Sequence, residues 1–238
     1  MLPPDVFISW PKNTDFPLFR KFLKDERTRF NEILIVFTEP NHGNDYAQFV
    51  KDSLFEQRAL CFYSSPLNNA TEDWRNVAIH SALRNSLHSE WILFLEQDFI
   101  PQPGFWDEVE RLANAGNKVI GVYEGTRLHP CFLLMRREIL KKTSLNFSAN
   151  PPYWDHFGHI QKDLINLGEP IGDVQSKYWY HMAGLSHNCR LMFEGQMPNH
   201  KIDEFVIYLK KCLLLPPETL EADFQRIATN FIKYHETA

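Results

Sequence analysis

The feature that most constrains this chain is a set of short, unbroken apolar runs: DVFISW at 5–10, ILIVFT at 33–38, ALCFYS at 59–64, WILFLE at 91–96 and KVIGVYE at 118–124. A strand with one wet face alternates apolar and polar residues. These runs do not alternate, so both faces of each strand must be covered. The stretches between them, 16–30, 44–57, 72–88 and 105–115, carry helical patterning, and Thr71 with Glu72 and Asp73 suits the start of the third. Strand–helix alternation with continuous apolar strands predicts an α/β fold: a mostly parallel sheet flanked by helices.

After residue 125 the rhythm changes. CFLLMR at 131–136 reads as a strand leading into a short helix, 146–154 as an aromatic, proline-rich loop, and 155–167 as a helix that Gly168 closes. Short strands and a histidine-rich loop are expected over 170–195, and two terminal helices over 202–214 and 217–235. With 238 residues and no repeat or linker, the chain is one large domain or one domain with a small appendage.

Composition removes several function classes. Lys and Arg total 25 against 30 Asp and Glu, a net charge of −5 that argues against a nucleic-acid partner. Only ten glycines are present, with no GxGxxG or GxxxxGK[ST], so a glycine-rich loop does not cradle phosphate here. Cys61, Cys131, Cys189 and Cys212 are scattered without a CxxC pair and read as buried thiols of a reducing compartment. With no signal-like N-terminus and no apolar run of membrane-spanning length, the expectation is a cytoplasmic protein without a transmembrane segment.

Ligands of an open parallel sheet bind beyond the carboxyl ends of its strands. Strand one ends at Ser9-Trp10, strand two at Thr38-Glu39 and the fourth at Glu96-Gln97-Asp98. Glu96 and Asp98, two positions apart after a buried strand, can aim oxygens at a common point, as a hard divalent cation requires. The same pair also fits a plain turn, where acidic side chains are favoured.

The run NVAIHSALRNSLHSEWILFLEQDFIPQPGFWDEV resembles the central segment of GT-A glycosyltransferases, with Glu96-Gln97-Asp98 in the place of their DxD motif. CFLLMRREIL at 131–140, Tyr153-Trp154-Asp155 before a helix, and HMAGLSHN at 181–188 continue the likeness in order over about residues 5–195. The resemblance implies a GT-A, Rossmann-like fold with a nucleotide-binding half at 1–125, an acceptor and metal half at 126–200, and a C-terminal helical extension at 201–238.

It also implies transfer of a sugar from a nucleotide-sugar donor to a saccharide or other hydroxyl acceptor, with Mn²⁺ or Mg²⁺ as cofactor. Glu96 and Asp98 would hold the metal, completed by His181 or His187, with His181 preferred. Ser9, Trp10, Glu39, Arg75, His80, Glu96 and Gln97 would line the donor, and Asp155 would be the general base of an inverting reaction. The chain departs from the family in lacking consecutive acidic residues after strand two and an Ala-Arg-Asn cluster in the helix at 72–88.

Two other readings keep the fold. A sugar-phosphate nucleotidyltransferase would need a basic, glycine-rich loop after strand one, and DVFISWPKNTDF has no glycine. A non-catalytic carbohydrate-binding protein would bind sugar without metal. The terminal helices, with KKCLLL at 210–215, either pack on the domain or serve a homodimer or a peripheral membrane contact.

Overall fold

Each apolar run splits its side chains between two cores. In a computed structural model, which describes residues 2–10, 14–37, 62–64, 79–80, 82–84, 87–147 and 157–237, Trp91, Leu93 and Leu95 of strand β4 (Trp91–Leu95) enter one hydrophobic cluster, while Ile92 and Phe94 enter the other. All five are buried, and burial of each stabilises the fold by about 1.5–3 kcal/mol. Strand β1 (Asp5–Trp10) divides likewise, with Val6, Ile8 and Trp10 on one side and Phe7 on the other.

Strands β2 (Ile33–Phe37) and β3 (Phe62–Ser64) complete a parallel block in the order β3-β2-β1-β4. The sheet continues through β7 (Arg127–Arg136), β6 (Val119–Glu124) and β8 (Ile171–Asp173), in the order β7-β6-β8. Strand β7 runs antiparallel to both neighbours, whereas β6 and β8 are parallel. The sheet is therefore mixed, with one reversed strand inserted between β4 and β6. A separate ribbon pairs β5 (Phe99–Pro101) with β9 (Trp179–His181).

The first core is covered by α1 (Pro17–Asp25), α2 (Phe105–Asn114), α5 (Leu185–Phe193), α6 (Ile202–Leu213) and α7 (Ala222–Thr237). The second is covered by α3 (Arg137–Leu140), α4 (Gly158–Leu167) and the helical residues 79–80 and 82–84. Helix α4 ends at Gly168, whose φ of +64° is the left-handed geometry expected of a glycine closing a helix. The histidine-rich loop resolves into two elements, with His181 ending β9 and His187 inside α5.

The terminal helices share the first core. Phe205, Leu209 and Cys212 of α6 and Phe224 and Ala228 of α7 are fully buried, whereas Ile207 and Leu214 face solvent. Among the described residues, no helix is long and apolar enough to cross a membrane. Cys131, Cys189 and Cys212 are free and buried.

Candidate active site

Strand β4 stops at Leu95, and the chain turns out of the sheet through Glu96, Gln97 and Asp98. The Glu96 N–H donates to the Cys131 carbonyl at 3.1 Å, holding the turn against β7. Gln97 and Asp98 are buried. Pairing of β5 with β9 sets Phe99 opposite His181, and the Met182 N–H donates to the Asp98 carbonyl at 2.9 Å. This ribbon delivers His181, whose Nε2 lies 3.1 Å from Asp98 Oδ2. The other carboxylate oxygen, Asp98 Oδ1, is buried with no hydrogen-bond partner.

The far wall follows from the reversed strand. Because β7 is antiparallel, its first residues lie beside the ends of β4 and β6. Its register against β6 jumps, so that residues 129–132 of β7 lie across from Val122 alone, between the pairs Gly121–Leu133 and Tyr123–Leu128. Irregularities of this kind re-aim side chains, and here His129 stands with its ring centroid 4.0 Å from that of His181. His129 Nε2 lies 3.8 Å from Glu124 Oε2 at the end of β6. Glu124, His129 and His181 each bring one carboxylate oxygen or ring nitrogen to within 4.8 Å of the other two. His181 is the common member, reaching Asp98 on one side and this group on the other.

The two imidazoles are not equivalent. His129 Nδ1 accepts the Cys131 N–H at 3.1 Å, so the neutral ring carries its proton on Nε2 and presents a donor towards Glu124. Burial alone would lower the His181 pKa, but the hydrogen bond and charge of Asp98, with Glu124 and Glu96 adding, leave it above its ordinary value. Burial pushes the Cys131 thiol far up, and Asp98, Glu96 and Glu124 push it further. The charges of Asp98, Glu96 and Glu124 thus all reach the Cys131 thiol and the His181 ring, an arrangement that a positive charge complements.

The remaining expected residues fall as follows. Ser9 is paired with Val36 in the β1–β2 register. Trp10 is fully buried, with its indole N–H donated to the Thr14 carbonyl at 2.8 Å and its ring against Phe16 and Phe19. His80 is half-buried, with Nε2 2.9 Å from the Leu145 carbonyl. His187 is exposed on α5, 3.5 Å from an Arg190 nitrogen, and stands apart from the group around His181. Glu39, Arg75 and Asp155 lie outside the described residues. Glu124 and His129 were not anticipated, although Glu124 closes the apolar run VIGVYE as Glu96 closes WILFLE.

No protein-family model and no curated protein matches the chain. Solved structures do. A mannosyltransferase of Pyrobaculum calidifontis, in complex with GDP-Man and Mn²⁺, superposes over 99% of this chain and 76% of its own, with a TM-score of 0.52 at 12% identity. The chain has the GT-A fold. A second GT-A structure is glucosyl-3-phosphoglycerate synthase from Mycobacterium tuberculosis, in complex with Mn²⁺, UDP-glucose and phosphoglyceric acid. It covers 90% of this chain and 81% of its own, with a TM-score of 0.50 at 11% identity. The likeness to the mannosyltransferase includes the terminal helices, in keeping with their place in the shared core.

Proposed function

We propose that this protein is a metal-dependent glycosyltransferase that moves a sugar from a nucleoside-diphosphate sugar to an acceptor hydroxyl. The observation that carries the reading is Asp98: a buried carboxylate with one oxygen on His181 and the other without a partner, at the carboxyl end of β4 in a GT-A sheet. Buried polar atoms are normally satisfied, and an exception calls for a ligand. A mixed carboxylate and imidazole set suits Mn²⁺, and carboxylates also accept Mg²⁺.

Asp98 and His181 are the proposed ligands, with Glu96 and Glu124 adding negative charge around them and the His129 ring facing Glu124. A cation bound there supplies Lewis acidity to the departing diphosphate. Glu39 is assigned to the donor base or ribose and Arg75 to the donor phosphates, where a guanidinium forms charge-assisted bonds. As the bond from the anomeric carbon to the diphosphate breaks and the bond to the acceptor oxygen forms, Asp155 takes the acceptor hydroxyl proton, in an inverting displacement.

The test is a donor screen beginning with GDP-mannose and UDP-glucose. Transfer to an acceptor, or slow donor hydrolysis, should stop with EDTA, return with Mn²⁺ and disappear in Asp155→Asn. Pyrophosphate release from a nucleoside triphosphate and a sugar phosphate would replace the reading with nucleotidyl transfer. Metal-independent sugar binding without turnover would replace it with a binding protein.

A further inference from the structure

His181 ends a three-residue strand whose partner, β5, is equally short, and Gly184 follows it closely in the chain. The start of helix α6 grips both flanks of this segment. On the C-terminal flank, Asn188 of α5 is buried, and its side chain pairs with one backbone residue from both ends: Nδ2 donates to the His200 carbonyl, and Oδ1 accepts the His200 N–H at 3.2 Å. The His200 ring lies so close over Gly184 that a β-carbon there would collide with it, and Gly184 has a φ of +80°. On the N-terminal flank, the Tyr180 hydroxyl donates to the Glu204 carboxylate. Between these grips lie His181, Met182 and Ala183.

The gripping segment is itself firmly set. Lys201 is a non-glycine residue in left-handed backbone geometry, with a φ of +43°, which persists only where the surroundings over-determine it. Four residues later, Phe205 begins the buried face of α6, continued by Tyr208, Leu209 and Cys212. A rigid, core-anchored helix therefore holds the loop that carries His181.

We propose that the His200–Glu204 segment is a clasp that positions His181 for the cation, with Asn188 as its principal positioning residue. The inference rests on the reading of His181 as a metal ligand. Partners that orient metal ligands typically account for ten- to a hundredfold in affinity. The Tyr180–Glu204 pair is solvent-exposed and plays the lesser part.

The test compares the unaltered protein with Asn188→Ala, with Asn188→Asp, which keeps an acceptor for the His200 N–H but loses the donor to its carbonyl, and with Ile232→Ala. The last destabilises α7 without touching the clasp. Two quantities are read: Mn²⁺ affinity without donor, from the free-ion electron paramagnetic resonance signal, and hydrogen exchange of the metal-free Met182 amide, which is bonded to the Asp98 carbonyl.

Asn188→Ala should weaken Mn²⁺ binding about tenfold and lower Met182 protection by a similar factor, and Asn188→Asp, which turns a buried oxygen towards the His200 carbonyl, should lose at least as much. Ile232→Ala should lower the Tm while leaving Mn²⁺ affinity within about twofold. Unchanged Met182 protection in Asn188→Ala, or equal losses in Ile232→Ala, overturns the clasp. Failure of the wild type to bind Mn²⁺ overturns the metal reading alone, and Met182 protection then decides the clasp by itself.

Discussion

Two buried aspartates stand at opposite ends of the same sheet, and their surroundings differ in kind. Asp5 opens β1 and is fully buried. Its Oδ1 accepts from Asn31 Nδ2 at 2.8 Å, the Glu32 N–H at 3.2 Å and the Ser89 hydroxyl at 2.8 Å, and its Oδ2 from the N–H groups of His88 at 2.6 Å and Ser89 at 2.7 Å. The carboxylate thereby ties together the segments leading into β2 and β4. Asp98, beyond the carboxyl end of β4, has His181 on one oxygen and nothing on the other. Burying a carboxylate is costly unless its oxygens are satisfied. The first is complete within the fold; the second is left to be completed by something that binds.

The comparison predicts a crossed pair of effects. Asp98→Asn should reduce transfer by on the order of 10²- to 10³-fold, the cost of removing a principal electrostatic contact of a transition state. It should change the unfolding free energy by less than about 1 kcal/mol, because it discharges a buried group that was only half satisfied. Asp5→Asn should do the opposite, losing on the order of 3 kcal/mol of stability as the donors around it meet an amide N–H₂ instead of an oxygen, while the folded fraction keeps its turnover. Urea midpoints and kcat measured on the same preparations decide it; an Asp98→Asn protein that turns over normally, or an Asp5→Asn protein of undiminished stability, breaks the contrast.

A smaller effect sharpens it. A ligand that binds only the native state, at a hundred times its Kd, stabilises by about 2.7 kcal/mol. Saturating Mn²⁺ should therefore raise the melting temperature of the wild type and of Asp5→Asn by similar amounts, and that of Asp98→Asn by much less. Equal shifts in all three would mean that the cation binds somewhere other than at Asp98.

The two carboxylates were not equally legible. Asp98 stands two residues after Glu96 at the end of an apolar run, a local pattern that chain order alone interprets. Asp5 reads as the polar first residue of a strand, since the groups that satisfy it lie 26 to 84 residues away in the chain. The strands at 5–10, 33–37 and 91–95 follow from their unbroken apolar runs and the terminal helices from helical patterning, but the direction of β7 follows from neither. A strand covered on both faces is continuously apolar whichever way it runs, so RLHPCFLLMR carries no mark of its reversal. His129 was hidden for that reason, because only an antiparallel β7 with its irregularity at 129–132 brings it to the ends of β4 and β6. Glu124 had a visible signal, the same run-ending glutamate as Glu96, but no acidic partner two positions on to draw attention to it.

The smallest effects separate the two residues of that wall. Glu124 brings a carboxylate oxygen within 4.8 Å of His181 and His129 and carries charge of its own, so Glu124→Gln should weaken Mn²⁺ binding by roughly tenfold. His129 acts differently. With Nδ1 accepting the Cys131 N–H, its neutral ring has no lone pair to offer from Nε2, and it contributes by pointing an N–H at Glu124. His129→Asn should then cost only about threefold, below the usual range for groups that orient a ligand, and should cost nothing further once Glu124 is already Gln. Nitrogen-15 shifts of the His129 ring should place the proton on Nε2 both before and after Mn²⁺ is added. If instead the Nε2 proton is lost on Mn²⁺ addition and His129→Asn matches the loss in His181→Asn, His129 is itself a ligand. The Cys131 N–H bond must then break on binding, because a neutral imidazole cannot accept that bond at Nδ1 and coordinate a metal through Nε2 at the same time.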